Sequence, residues 1–150
     1  MWEDQFVKKF IVMVSLALVA FGMVLSASSA MAEEKLVIQV SDDNPRTMNI
    51  ALNNAMNVTK ELGAGGVEIE IVAYGPGLNM FAKDSKVAEK IKKAHSFGNI
   101  KFAVCGNTMK NRKWTKANLL ADAFVQDAIV SAGVIRIMEL QGQGYKYIRP

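Results

Sequence analysis

Five short apolar runs, each followed by loop-forming residues, recur along the chain after residue 33. Runs of this length that are apolar throughout, or that alternate with polar residues, are typical of β-strands. The last run alternates, as expected of an edge strand. The predicted strands are Leu36–Val40, Val67–Ala73, Ile100–Val104, Ala128–Ala132 and Tyr145–Ile148.

Between these runs, apolar residues recur at the spacing of one helix face. The first helix has this face at Met48, Leu52, Ala55, Met56, Thr59 and Leu62, and glycines from Gly63 end it. Further helices are predicted over 86–97 and 133–143, the last with Val134, Ile137, Met138 and Gln141 at helical spacing. A short helix capped by Thr115 is predicted as well. Alternating strands and helices favour a mostly parallel sheet with helices on both faces.

The first 32 residues have the organisation of a secretory signal peptide. Lys8 and Lys9 precede an apolar run, and small residues then lead to Ala32 in an A-x-A cleavage pattern. An uncleaved anchor is the alternative, but the run is shorter than the roughly 20 residues that a spanning helix needs. We therefore expect cleavage after Ala32, a periplasmic or secreted domain of residues 33–150, and no membrane attachment afterwards.

The charge balance restricts the partners. The net charge is +4, and the basic residues form no long run. This gives only slight support for anionic partners and argues against nucleic acid. A domain of residues 33–150 is large enough to bury a core without disulfide or metal staples.

Cys105, the single cysteine, follows the third apolar run. It belongs to one of three loops expected at the carboxyl edge of the sheet, where open α/β sheets bind ligands. These loops are Ser41–Arg46, Tyr74–Phe81 and Cys105–Trp114. Such a cysteine is either a buried small hydrophobe or a reactive thiol, and the sequence leaves both open.

Nearby groups would favour the thiolate form of Cys105. Backbone amides of Gly106, Asn107 and Thr108 can form an anion-binding nest. Lys110 and Arg112 follow and add positive charge.

Other chemistries are disfavoured. His95 is the single histidine and has no evident catalytic partner. One cysteine and one histidine cannot build a closed zinc site, so no metal is expected. Gly75 and Gly77 flank Pro76 and do not match the dinucleotide fingerprint, so no cofactor is expected.

Three apolar residues, Leu78, Met80 and Phe81, follow these glycines in a predicted loop. An exposed apolar loop of this kind is typical of a pocket lid or of a contact between subunits.

Several stretches together resemble the DsrE/DsrF-like family of small sulfur-relay proteins. They are Asn53-Asn-Ala55, Tyr74-Gly-Pro-Gly-Leu78, Val104-Cys-Gly-Asn-Thr-Met109 and the ending from Gly133 to Ile148. The resemblance implies a three-layer α/β/α, flavodoxin-like fold that assembles as homotrimers or hexamers. It also implies that Cys105 holds sulfane sulfur as a persulfide.

The resemblance makes Tyr74 and Gly75 candidate substrate-binding residues, together with Gly106, Asn107, Thr108, Lys110 and Arg112. Two hypotheses follow from it. The first is an exported sulfur carrier or sulfurtransferase acting through Cys105, with a sulfur compound or another protein as donor and acceptor. The second is a non-catalytic oligomeric module of the same fold that binds a small ligand or a subunit.

Overall fold

The computed structural model describes residues 34–150. The predicted signal peptide and its cleavage site at Ala32 lie outside the described residues. Within residues 34–150, no helix combines the length and the hydropathy needed to cross a bilayer.

The described chain alternates strands and helices. The strands are β1 (Glu34–Val40), β2 (Val67–Ala73), β3 (Ile100–Cys105), β4 (Ile129–Val130) and β5 (Lys146–Ile148). The α-helices are α1 (Pro45–Leu62), α2 (Ala88–His95), α3 (Gly106–Asn111), α4 (Ala123–Gln126) and α5 (Gly133–Gly142). Two short 3-10 helices cover Gly75–Phe81 and Lys116–Asn118.

The five strands form one parallel sheet in the order β4-β3-β2-β1-β5. Val40, Ala73 and Val104 lie side by side in the register. The chain segments that follow β1, β2 and β3 therefore leave the sheet at the same edge. The α/β fold expected from the sequence is confirmed.

Two apolar cores lie on opposite faces of the sheet. The larger core joins the faces of α1, α2 and α4 to strand residues such as Ile38 and Ile71. The smaller core packs Ile137 and Leu140 of α5 against Val37, Val72 and Ala103 of the strands. Because strand side chains alternate between faces, Glu68 and Glu70 of β2 lie on the α5 side of the sheet together with Val72.

Helix α1 illustrates how the sequence determines its own boundaries. The side chain of Asn44 accepts a hydrogen bond from the Arg46 amide at 2.9 Å, and Pro45 occupies the first helical position. At the other end Gly63 takes a φ of 79°, which favours glycine. The predicted face is buried except for Leu62, whose exposed fraction is 42 %.

Two expectations for the C-terminal third need correction. The strand predicted over Ala128–Ala132 shortens to Ile129–Val130, an edge strand. In α5, Val134, Met138 and Gln141 are exposed, and the helix instead buries Ile137 with Gly133 and Leu140. Apolar residues occur on several sides of α5. Helical spacing alone therefore does not show which of two overlapping apolar faces packs against the sheet.

The apolar residues after β2 do not form an exposed lid. Leu78, Met80 and Phe81 lie in the 3-10 helix Gly75–Phe81 and are fully buried in the larger core. The Phe81 ring packs edge-on against Phe102, with ring centroids 5.7 Å apart. The expectation of a pocket lid or subunit contact at these residues is therefore wrong.

Two leucines of α1 give a matched test of the core. We expect Leu52→Ala, at a fully buried position, to lower the free energy of unfolding by about 2–5 kcal/mol. We expect Leu62→Ala, at a position 42 % exposed, to cost less than about 1 kcal/mol. Urea denaturation followed by circular dichroism measures both, and similar losses in the two variants would contradict this packing.

Candidate functional site

Cys105 is the last residue of β3 and also caps the helix that follows. Its backbone is extended, with φ −70° and ψ 106°, and its Sγ accepts a hydrogen bond from the Thr108 amide at 3.4 Å. The segment Gly106–Asn111 is therefore the helix α3, where the sequence predicted a loop. The sequence gives no clear signal for this helix, because cysteine is not among the preferred N-cap residues.

A second amide reaches the same sulfur from α5. The N–H of Gly133, the first residue of α5, donates to Cys105 Sγ at 3.2 Å. Helix α5 starts just after β4, which pairs with β3, so its N-terminus lies beside the end of β3. Sequence reasoning missed Gly133, although a glycine at the start of a helix after a strand is the signal that could have revealed it.

Close packing explains why residue 133 is a glycine. A Cβ atom at Gly133 would lie 2.9 Å from both Cβ and Cδ1 of Tyr74. Real Cβ contacts are not this short, so any side chain here would push Tyr74 and α5 apart. The missing Cβ lets the first turn of α5 approach the sulfur.

The sulfur is buried and meets polar rather than only aliphatic groups. Cys105 is 3 % exposed. Backbone N–H groups at the start of a helix favour an anion, and hydrogen bonds to a charged acceptor are stronger than those to a neutral one. The arrangement is thus suited to stabilise a thiolate or another anionic sulfur species.

The predicted nest is only partly the one observed. Thr108 donates to the sulfur, but the Asn107 amide donates to the Ser131 carbonyl at 2.9 Å. Gly106 serves packing, because a Cβ there would lie 2.7 Å from the Val130 carbonyl oxygen.

Thr108 also ties the loop after β2 to the thiol. Its Oγ1 accepts a hydrogen bond from the Gly75 amide at 2.9 Å. Gly75 has a φ of 54°, a left-handed conformation that favours glycine. The predicted edge loops after β2 and β3 therefore meet because they follow neighbouring strands, rather than because of a reversal in strand order. The loop after β1 also adjoins Gly75 and Gly77 through Ser41.

The two predicted cations do not contact the sulfur. Arg112 donates to Asn79 Oδ1 at 2.6 Å and to the Gly75 carbonyl at 3.0 Å. Its guanidinium carbon lies 5.1 Å from the centre of the Trp114 ring. Lys110 is exposed on the last turn of α3. Arg112 thus fastens the 3-10 helix Gly75–Phe81, and the groups that hydrogen-bond to the sulfur are the amides of Thr108 and Gly133.

Tyr74 forms part of a polar wall beside the thiol. Burial raises the pKa of Tyr74, and the nearby Tyr147 phenol and Cys105 add to this effect. Gln39 is 8 % exposed and accepts a hydrogen bond from the Tyr147 hydroxyl at 2.5 Å. Arg149 acts in the opposite direction on Tyr74, as does a hydrogen bond with Gln39.

His95 lies away from this arrangement. It ends α2, shortly before β3 begins, and so belongs to the amino edge of the sheet rather than the carboxyl edge. Its ring stacks on Phe124, with centroids 3.9 Å apart. Among residues 34–150, no group of three or more His, Cys, Asp or Glu side chains is placed to hold a metal ion.

A separate cleft opens near the start of α1. Its volume is about 420 Å³, and its walls include Asp43, Asp84, Lys86 and Trp114. Cys105 does not line it. Asn79, which accepts a hydrogen bond from Arg112, also lies in the wall of this cleft. The cleft therefore adjoins the 3-10 helix Gly75–Phe81.

Comparison with known proteins adds the family. The model of the DsrE/DsrF-like family matches residues 17–150. The chain belongs to this family. Among curated proteins, no relative matches the sequence.

Solved structures of proteins of unknown function are similar to this chain. One is a protein of unknown function from Methanobacterium thermoautotrophicum, with 28% identity and a TM-score of 0.70 over 79% of this chain and 100% of that chain. Another is a conserved protein of unknown function from Bacteroides thetaiotaomicron, with 22% identity and a TM-score of 0.59 over 81% of this chain and 98% of that chain. The second likeness concerns the fold alone.

The titration of Tyr74 tests the burial of this wall. Its raised pKa means that the folded state favours the neutral phenol, so Tyr74 ionises above about pH 10. The stability that this contributes is present below the unfolded pKa and is lost as pH rises through the folded pKa. An ultraviolet titration of tyrosinate, with Tyr74→Phe subtracted, isolates this transition. A native midpoint at or below the midpoint in denaturant would contradict the placement.

Proposed function

We propose that Cys105 accepts a sulfane sulfur atom and carries it as a persulfide. The observation that supports this most is the pair of amides, from Thr108 and Gly133, that donate to Cys105 Sγ. Each hydrogen bond to a charged group is worth about 1.5–3 kcal/mol, more than a bond to the neutral thiol. Membership of the DsrE/DsrF-like family supports the same assignment.

The proposed step conserves atoms and charge. The Cys105 thiolate attacks the outer sulfur of thiosulfate, or a terminal sulfur of a polysulfide chain. A bond forms between Sγ and that sulfur, and the bond from that sulfur to the rest of the donor breaks. The bonding pair leaves with sulfite or with the shortened polysulfide, which takes up the negative charge that the thiolate gives up, and the transferred sulfur keeps its own negative charge as the outer atom of the persulfide.

The burial of the thiol bears on the donor. Cys105 is only 3 % exposed, and the starts of α3 and α5 adjoin it. A small inorganic sulfur compound fits such a site better than the folded surface of a donor protein. Burial also limits the access of water and oxidants to the persulfide. The N-terminal sequence predicts export, and an exported protein would likewise meet small sulfur compounds.

We also propose that the protein works as a homo-oligomer, with α5 at the contact between copies. Val134, Ile135 and Met138 project from α5 with exposed fractions of 54 %, 45 % and 62 %. Neighbouring apolar residues exposed on one helix are typical of an interface. A trimer or a hexamer remains the expected size.

A second candidate function is the binding of a small ligand without sulfur chemistry. The cleft of about 420 Å³ beside Trp114 and Asp43 favours it, because its size falls in the range of small-molecule sites. Its walls combine an indole with charged groups of both signs. In this alternative Cys105 serves only as a helix cap and a core residue.

Intact-mass spectrometry after incubation with thiosulfate or polysulfide tests the sulfur-carrier proposal. We expect a gain of one sulfur atom per chain, which a reducing agent removes. Cys105→Ser keeps a capping oxygen at the same position and is the matched control. We expect this variant to gain no sulfur. A wild-type mass that does not change, while the protein is folded and its thiol is intact, would reject the proposal and favour the ligand-binding alternative.

The oligomer proposal has a matched pair of variants. We expect Met138→Glu to lower the molar mass in light scattering, because it places a charge in the apolar patch of α5. Leu62→Glu changes an exposed apolar residue at the end of α1, away from this patch, and serves as the control. A wild type that is monomeric at all concentrations would overturn the proposal.

A further inference from the structure

A partly buried ion pair fastens the first turns of α5 to the sheet. Glu70 of β2 is 4 % exposed and points to the α5 side. Arg136 of α5 donates to both of its carboxylate oxygens, from Nε to Oε1 at 2.7 Å and from Nη2 to Oε2 at 2.7 Å. This two-bond geometry fixes the direction of the guanidinium as well as its distance.

Both partners depend on the pair. An unpaired carboxylate with this burial would be costly, since its hydration is lost without compensation. The hydrogen bond to Glu70 is the main cause that raises the pKa of Arg136 well above its ordinary value. The Arg136 side chain therefore stays charged.

Arg136, which pairs with Glu70, and Gly133, which contacts the thiol, lie in one helical turn. The Arg136 amide donates to the Ala132 carbonyl at 3.0 Å, which closes the turn that contains Gly133. The Gly133 amide donates to Cys105 Sγ at 3.2 Å. The apolar contacts of α5, at Ile137 and Leu140, lie further along the helix. Close to Gly133, Arg136 adds a polar tie between α5 and β2 to the apolar contact that Ile137 makes with the strands.

We infer that the Glu70–Arg136 pair positions the Gly133 amide at Cys105 Sγ and thereby controls how readily this thiol forms its reactive anion. Both residues are positioning residues, since neither touches the sulfur by hydrogen bond. The consequence for sulfur uptake rests on the proposed function, whereas the effect on thiol ionisation does not.

Positioning and direct charge effects predict different directions of change in the thiolate fraction of Cys105. If Glu70 and Arg136 acted on the thiol only through their charges, Glu70→Gln would favour the thiolate and Arg136→Gln would disfavour it. If they act by holding α5, both variants disfavour the thiolate, because both release the Gly133 amide. Arg136→Lys adds a third comparison, since it keeps the charge but loses the two-bond geometry.

The experiment is a pH titration of the thiolate by its ultraviolet absorbance in the full folded protein. Cys105→Ser is subtracted to remove the tyrosine signal. We expect Glu70→Gln, Arg136→Gln and Arg136→Lys each to lower the thiolate fraction about tenfold at a fixed pH below the midpoint, equivalent to about one pH unit. The control is Glu139→Gln, which removes an exposed contact of Arg136 at 3.4 Å and leaves the pair with Glu70. We expect no change there.

The outcomes separate this inference from the proposed function. Opposite shifts in Glu70→Gln and Arg136→Gln, or unchanged titrations in variants that unfold more easily, would overturn it. If Glu70→Gln does not fold, Arg136→Lys decides: a lower thiolate fraction supports the inference, and an unchanged fraction overturns it. A wild type that takes up no sulfur, but whose thiol titration moves as expected in the variants, supports the inference and rejects the sulfur carrier.

Discussion

The approach of α5 to the end of β3 is the constraint on which the site depends. The hydrogen bond from Gly133 to Cys105 Sγ exists because α5 begins beside β4, crosses the face of the sheet and packs through Ile137 and Leu140. The absence of a side chain at Gly133 permits the contact with Tyr74. Without this approach the sulfur would accept only the bond from Thr108 within its own segment.

The two faces of the sheet differ in the residues that they bury. The face covered by α1, α2 and α4 holds most of the apolar core, including the fully buried Phe81 segment after β2. The α5 face combines a small apolar core with Glu70, Gln39 and other polar groups. A polar group buried there needs a partner, and each partner also fixes geometry. Most of the apolar packing therefore lies on one face of the sheet, and Glu70 and Gln39 lie on the other.

Much of the architecture and part of the site follow from the sequence. Apolar runs and helical spacing predicted the parallel α/β sheet and the position of Cys105 at a strand end. Thr108 and Gly75 were expected near the thiol, and a hydrogen bond joins them. The contacts of Arg112 with Asn79 and Gly75 could not be foreseen, because they join segments more than 30 residues apart. For the same reason charge near Cys105 along the chain did not mean charge near its sulfur.

Local sequence by itself determined the order of the five strands and of the longer helices along the chain, where α1 begins and ends, and that a single thiol lies at the edge of the sheet, since capping and periodicity act over a few residues. Only the tertiary structure decided that Leu78, Met80 and Phe81 are core, which face of α5 is buried, and that Gly133 rather than Asn107 donates to the sulfur. These outcomes depend on strand order and on the packing of α5, and both are set by contacts between distant parts of the chain.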